Sequence, residues 1–332
     1  MPQKEINFIP HTPAVLKRIF SQRGISPNKR FGQNFLIDQN TLLSIPDIAE
    51  LNENDVVLEI GTGTGGLTRL LAERSRHVFT VEVDRKLFEM ASDILKLYKN
   101  VTIINADILK TKHELNPDIP ALMLNWLKEH DQSHIKVVSN LPYNISTPVI
   151  INLLEGNLPI KLMVLMLQKE ITERMAAMPG TREYGILSII TQLYSEVEAV
   201  KTLPPQVFWP MPEVYSALVK VSVRNERYTG RIMDYPFLKK IIHAIFTSRR
   251  KTLLNSLEQL KLSNISRDHV KGVIKSMQLD ERVRGETLNL DQLIYLSEAV
   301  CNLLKQDISV VGFQHPPTPL DRWEVCLEVW DT

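Results

Sequence analysis

Residues 140 to 143, Asn-Leu-Pro-Tyr, bring a carboxamide, a proline and an aromatic ring together directly behind an apolar run. A chain needing only a turn after Val137 and Val138 would use Gly or Asp, and would gain nothing from Tyr143 at a tip. The set suits the activation of an exocyclic base amine, a poor nucleophile because its lone pair is delocalised into the ring. The Asn140 side-chain oxygen and the Leu141 carbonyl can accept the two N–H groups. That holds the nitrogen closer to tetrahedral and stabilises the positive charge that develops as it is alkylated. Pro142 stiffens the loop and fixes the carbonyl. Tyr143 offers a ring face to a base taken out of its stack, worth ~1–3 kcal/mol per base. No strong general base is required, since the alkylated nitrogen is acidic and loses its proton to water.

A ligand-binding turn lies upstream, in LEIGTGTGGLT (58 to 68). Glycines at 61, 63, 65 and 66 directly after an apolar strand let the backbone turn tightly and bring its amides close to a ligand at a helix start. Gly61, Gly63 and Gly66 satisfy GxGxxG, and Glu82 falls where a ribose-binding acid is expected. A dinucleotide and S-adenosylmethionine are both compatible with this pattern, because each presents ribose hydroxyls to a carboxylate. Asp107 is placed to accept a hydrogen bond from an adenine amine, or else to cap a following helix. Ligands of open α/β sheets collect outside the carboxyl ends of the strands, so Gly61, Glu82, Asp107 and Asn140 are expected to share one crevice.

The elements that position them follow from periodicity. VVLEI (56 to 60), HVFTVEV (77 to 83), VTIINAD (101 to 107), IKVVSNL (135 to 141) and KLMVLML (161 to 167) are near-continuous apolar runs, the mark of parallel strands covered on both faces. VEAVKTL and SALVKVSV predict a closing antiparallel pair. The expected fold is α/β: an open, mostly parallel Rossmann-like sheet over residues 1–230, followed by a smaller, mostly helical domain over 231–332. Helical spacing there begins with Leu238, Ile241, Ile242, Ile245 and Phe246. The stretch 111 to 134 is polar and Pro-interrupted, an elaborated connection.

Composition narrows the class. The 332 residues are 44% hydrophobic, enough for two cores. The longest aliphatic stretch, 162 to 167, is far short of the ~20 residues of a membrane span, and the start lacks the layout of a secretion signal. A cytoplasmic protein is expected. Two cysteines without a CxxC pair and eight scattered histidines suggest no metal site. The net charge of +1 conceals an uneven distribution: residues 1 to 40 and 238 to 284 are basic, whereas 306 to 332 carry one Arg against five acids. By itself such a pattern also fits ordinary solvated faces.

Eight motifs then occur in a recognisable order: KRFGQNFL (29 to 36), VLEIGTGTGGLT (57 to 68), VEVDRKL (81 to 87), NADIL (105 to 109), NLPYNIS (140 to 146), QKEITERMAAMPGTREYGILSI (168 to 189), VFWPMPEVYSALV (207 to 219) and FTSRRKTLLNSL (246 to 257). From about residue 14 to 300 the chain resembles the ribosomal RNA adenine N6,N6-dimethyltransferases, most closely the KsgA (RsmA) type that modifies the small-subunit RNA. The resemblance implies transfer of methyl groups from S-adenosylmethionine to N6 of two adjacent adenosines near the 3′ end of that RNA, two to each. The implied partner is the small-subunit RNA within a pre-assembled subunit, bound by a monomer. It gives Asn34 and Leu36 to the cofactor's methionine side, Gly61 and Gly63 to the glycine loop, Glu82 to the ribose and Asp107 to the adenine amine. Asn140 would serve both cofactor and target, and Phe208 would stack opposite Tyr143, although plain core packing explains Phe208 and Trp209 equally well. Arg249, Arg250 and Lys251 would contact phosphates in the C-terminal RNA-binding domain.

Thr62 stands where the family often has Pro, the stretch between Asp107 and Asn140 is longer than usual, and the tail from about 306, with Trp323 and Trp330, has no counterpart. The rival large-subunit adenine methyltransferases of macrolide resistance typically carry NIPYN and a different opening motif. A mitochondrial transcription factor derived from this fold is a binding-module alternative, against which the set Glu82, Asp107, Asn140 and Tyr143 argues. An NAD dehydrogenase would leave NLPYN unexplained.

Overall fold

Apolar runs covered on both sides assemble into the central sheet of the computed structural model, which describes residues 12–28, 31–224, 232–260, 262 and 265–310. The first part of the chain runs α1 (Pro13–Gln22), β1 (Phe35–Leu36), α2 (Gln39–Ile48), β2 (Val56–Ile60), α3 (Gly66–Ala72), β3 (His77–Glu82), α4 (Arg85–Leu95), β4 (Val101–Asn105), β5 (Leu109–Thr111), β6 (Glu114–Leu115) and α5 (Asp118–Glu129). It continues with β7 (Ile135–Asn140), α6 (Ser146–Glu155), β8 (Ile160–Gln168), α7 (Lys169–Met175), α8 (Ile186–Tyr194), β9 (Ser195–Leu203), β10 (Phe208–Trp209) and β11 (Ser216–Val223). Helices α9 (Tyr235–Thr247), α10 (Leu253–Leu257), α11 (Arg267–Ser276) and α12 (Leu290–Val310) follow.

Seven strands form one sheet in the order β4-β3-β2-β7-β8-β11-β9. The five expected parallel strands are β4, β3, β2, β7 and β8, and β11 inserts antiparallel to both β8 and β9. The mostly parallel architecture is thus as expected. Strand periodicity divides the core into two layers. Leu58, Phe79, Val137 and Leu165 face α5 and α6 through Ile119, Met123, Val149 and Leu153. Val57, Val78, Val138 and Val164 face α2 and α3 through Leu42, Ile45, Leu70 and Leu71. The long connection builds the β5–β6 hairpin and α5, whose Ile119, Met123 and Leu127 recur every four residues and are buried.

The chain divides into two compact units, Met1–Arg231 and Ile232–Thr332. In the second, Leu238, Ile241, Ile242 and Ile245 of α9 are buried as their helical spacing requires. The N-terminal residues 1–11, Lys29 and Arg30, and 311–332 with Trp323, Trp330 and Cys326, lie outside the described residues. Among the described residues, no helix is long and apolar enough to cross a membrane, and no cluster of His, Cys, Asp and Glu is arranged to hold a metal.

One acid sits inside this core. Glu59, in the middle of β2, is 1% exposed, and its Oε2 accepts from the Thr68 and Thr80 hydroxyls, each at 2.6 Å. Thr62 extends the row, its hydroxyl 2.6 Å from that of Thr80, so the departure from Pro at this position adds a polar tie beneath the glycine turn. Burial outweighs the two hydroxyls and, with the nearby Glu82 charge, raises the Glu59 pKa to about 8. Between its ordinary 4.5 and about 8, the folded chain therefore holds a proton that the unfolded chain has lost. Stability falls as pH rises through that window. Glu59→Gln is expected to flatten this decline, read as thermal midpoint against pH; an unchanged slope in the folded variant would mean that another group causes it.

Candidate active site

An open cleft lies across the carboxyl ends of β2, β3 and β7, where open α/β sheets hold their ligands. Asn34, Gly61, Gly63, Glu82, Asp107, Asn140, Leu141, Pro142 and Tyr143 all line it. Leu36 lines an adjoining hollow that shares Phe35, Gly61, Gly63 and Asn140 with the cleft. Residues from four strand ends and from the N-terminal arm, the stretch 31–36 ahead of α2, thus converge, because parallel strands in register bring their carboxyl ends to one edge.

The glycine turn is shaped by close approach. Gly63 has φ +54°, and a Cβ there would press on the Phe35 ring at 3.1 Å, so a side chain would strain the backbone and crowd the ring. Its N–H donates to Glu82 Oε2 at 2.8 Å, and the Asp84 N–H donates to Oε1 at 2.9 Å. Both oxygens are thereby aimed before any ligand arrives. Burial raises the Glu82 pKa, and the backbone N–H groups of Asp84, Gly63 and Val83 partly oppose the rise. Asp84 also caps α4 through Lys86 and Leu87 N–H and accepts from Gln33 Nε2 at 3.0 Å, which ties the arm to this turn. Asp107 Oδ1 accepts from Leu109 N–H at 2.9 Å. No helix follows it, because β5 comes next, so the acid braces a turn and not a helix start.

The carboxamide is oriented by the arm. Asn140 Nδ2 donates to the Asn34 carbonyl at 2.8 Å, which leaves Oδ1 as the acceptor. Leu141 N–H is held by the Met166 carbonyl at 3.2 Å. The Pro142 carbonyl accepts from Ile145 N–H at 3.2 Å and the Ser146 hydroxyl at 3.0 Å, turning the loop into α6. Gly32 lies against the same loop: a Cβ there would stand 3.2 Å from Tyr143 N. The Tyr143 hydroxyl meets Ser216 Oγ at 2.5 Å, and burial raises its pKa, so it stays protonated.

Phe208 does not stand opposite Tyr143 as expected. It is 2% exposed, lines neither hollow, and packs with Leu36, Leu42, Leu203 and Leu218. The cause is the antiparallel β1–β10 pair, Leu36 with Phe208 and Phe35 with Trp209, which turns Phe208 inward. Trp209 turns the other way and packs against Phe20 and Phe35, with ring centroids 5.2 and 6.2 Å away. Core packing accounts for Phe208.

A basic cluster belongs to the second unit. Arg249 Nε pairs with Glu286 Oε2 at 2.8 Å, with its guanidinium over the Phe246 ring, whereas Arg250 and Lys251 are exposed. Leu253 N–H donates to the Val283 carbonyl at 2.7 Å, bringing exposed Arg282 and Arg284 alongside. Sequence reading found only the first three. The basic excess of 238 to 284 contained the other two, but no spacing rule joins residues so far apart.

The sequence profile of the family described as ribosomal RNA adenine dimethylase matches residues 24–295. Over 289 residues the chain is 40% identical to "Ribosomal RNA small subunit methyltransferase A" of Halothermothrix orenii, spanning 87% of this chain and 93% of that protein. Among solved structures it is similar to a dimethyladenosine transferase from Plasmodium falciparum, with TM-score 0.65, 25% identity, and coverage of 80% of this chain and 97% of that one. It shares its fold with the 23S rRNA methyltransferase ErmE, with TM-score 0.56, 24% identity, and coverage of 80% and 99%. With the glycine turn, two acids and the carboxamide meeting in one cleft, and a match that extends into both units, the chain belongs to the ribosomal RNA adenine dimethylase family.

Proposed function

We propose that this chain transfers methyl groups from S-adenosylmethionine to N6 of two adjacent adenosines near the 3′ end of small-subunit (16S) ribosomal RNA, two to each, acting as a monomer on a pre-assembled small subunit. The carrying observation is the fixed orientation of the Asn140 amide beside the glycine turn. Support for the small-subunit target comes from the 40% identity to the Halothermothrix orenii protein across 87% of this chain; the likeness to the large-subunit enzyme is one of fold.

The cleft fits an adenosyl group. Glu82, with both oxygens aimed by backbone N–H groups, suits a ribose diol, and the second oxygen of Asp107 suits an adenine amine. Asn34, Leu36 and Gly61 would take the methionine side. When bound, the cofactor supplies a methyl group carried on a sulfonium. Asn140 Oδ1 and the Leu141 carbonyl accept the two N–H groups of the target amine, holding its lone pair out of the ring plane and stabilising the charge that develops. Tyr143 takes the face of the flipped adenine. Arg250, Lys251, Arg282 and Arg284 would meet phosphates, while Arg249 stiffens their loop through Glu286. The deciding experiment incubates the protein with labelled S-adenosylmethionine and separately purified, unmodified small and large subunits, then maps the labelled nucleotides. RNA binding without methyl transfer would favour a binding module.

Three outcomes test the assignments. Glu82→Ala removes a charge-assisted acceptor and is expected to weaken cofactor binding by ~1.5–3 kcal/mol; unchanged affinity by calorimetry in a folded variant would remove Glu82 from the site. Replacing Arg250, Lys251 and Arg282 with Ala should weaken subunit binding and lower the log–log salt slope by ~0.7–0.9 per lost phosphate contact, with cofactor affinity unaffected. An unchanged slope would make these residues an ordinary solvated face. Asn140→Ala should cut turnover by ~10²–10³ with RNA affinity retained, whereas Tyr143→Ala should mainly raise the RNA requirement, by ~1–3 kcal/mol. Normal turnover in Asn140→Ala would end the amine-activation account.

A further inference from the structure

We propose that Ser216 is a positioning residue for base capture, its hydroxyl locking the Tyr143 ring in the orientation that receives the flipped adenine. This rests on the reading of Tyr143 as the stacking face. The two residues are 73 apart in sequence, yet their hydroxyls meet at 2.5 Å. Tyr143 sits in a loop and is half-buried, and its aromatic side chain has two torsions to fix. Ser216 is the opposite kind of anchor. It is 0% exposed and opens β11, paired with Gln168 of β8 on one side and Leu203 of β9 on the other. Its position is therefore set by the sheet, and the hydrogen bond passes that rigidity to the ring.

The bond also explains why the side chain at 143 is a tyrosine. A phenylalanine there would present the same π-face, but would leave the Ser216 hydroxyl without its partner inside the sheet. Leaving one member of a buried pair unsatisfied costs more than removing both, which can be nearly neutral. Stacking on a ring that must first be oriented is weaker than stacking on one already in place, because capture then bears the ordering cost.

A double-mutant cycle tests this, with Tyr143→Phe, Ser216→Ala and the pair together, on the full chain with unmodified small subunits. Each single variant is expected to raise the KM for subunits about tenfold with cofactor affinity by calorimetry unchanged, and the double variant to be no worse than the worse single one. An RNA carrying 2-aminopurine at the target position should show reduced stacking-dependent quenching in both single variants. Additive effects in the cycle, or a normal KM and full quenching in Tyr143→Phe, would overturn the proposal. Should Ser216→Ala fail to fold, Tyr143→Phe leaves β11 intact and decides the matter alone. If Tyr143→Ala itself left KM and quenching unchanged, the stacking reading would fail, whereas an impaired Tyr143→Ala beside a normal Tyr143→Phe would end only the Ser216 role.

Discussion

A carboxamide has two faces of opposite hydrogen-bonding character, and it can aim its oxygen at an amine only if its nitrogen is already occupied. The Asn34 carbonyl, 2.8 Å from Asn140 Nδ2, meets that condition. The contacts of the arm keep this one acceptor in place. The Asn34 carbonyl belongs to an arm with little structure of its own, and β1 becomes a strand because Phe35 and Leu36 pair with Trp209 and Phe208. Gln33 fastens the arm to Asp84, and Phe35 closes over Gly63. Loss of the arm would therefore release the carboxamide and the glycine turn together.

Two neighbouring carboxylates show how environment separates roles. Glu59 and Glu82 lie on adjacent strands and are both buried. Glu59 receives only hydroxyls, and burial raises its pKa to about 8, so it behaves as a neutral strut beneath the turn. Glu82 receives backbone N–H groups, whose dipoles partly offset the same burial. That carboxylate opens onto the cleft. Residue type and burial are nearly shared, and the two acids differ in their donors, hydroxyls at Glu59 and main-chain N–H groups at Glu82.

Electrostatics is organised locally in the second unit as well. A net charge of +1 says little about a polyanionic partner. The Leu253–Val283 backbone bond gathers Arg250, Lys251, Arg282 and Arg284, and Glu286 pairs with Arg249 at 2.8 Å and more loosely with Arg284 at 3.8 Å. Exposed cations with few internal partners are the ones whose condensed-ion exchange on RNA yields affinity.

The five parallel strands, the glycine turn and the residues Glu82, Asp107 and Asn140 were legible in the sequence, because each is a local signal: a near-continuous apolar run, a turn that only glycine can make, a polar residue at a strand end. Parallel register then carries those strand ends to one edge, so even the convergence on a cleft followed from the pattern. The tertiary structure alone decided the rest. It turned Phe208 into the core by pairing two-residue strands far too short to carry a period. It oriented the Asn140 amide through a main-chain carbonyl that any residue at 34 would supply. It set Ser216 under Tyr143 and Arg282 beside Lys251 across gaps that no periodicity links. Such contacts depend on which distant segments the packed sheet and helices bring within hydrogen-bond reach, and that information resides in the fold and in no single stretch of chain.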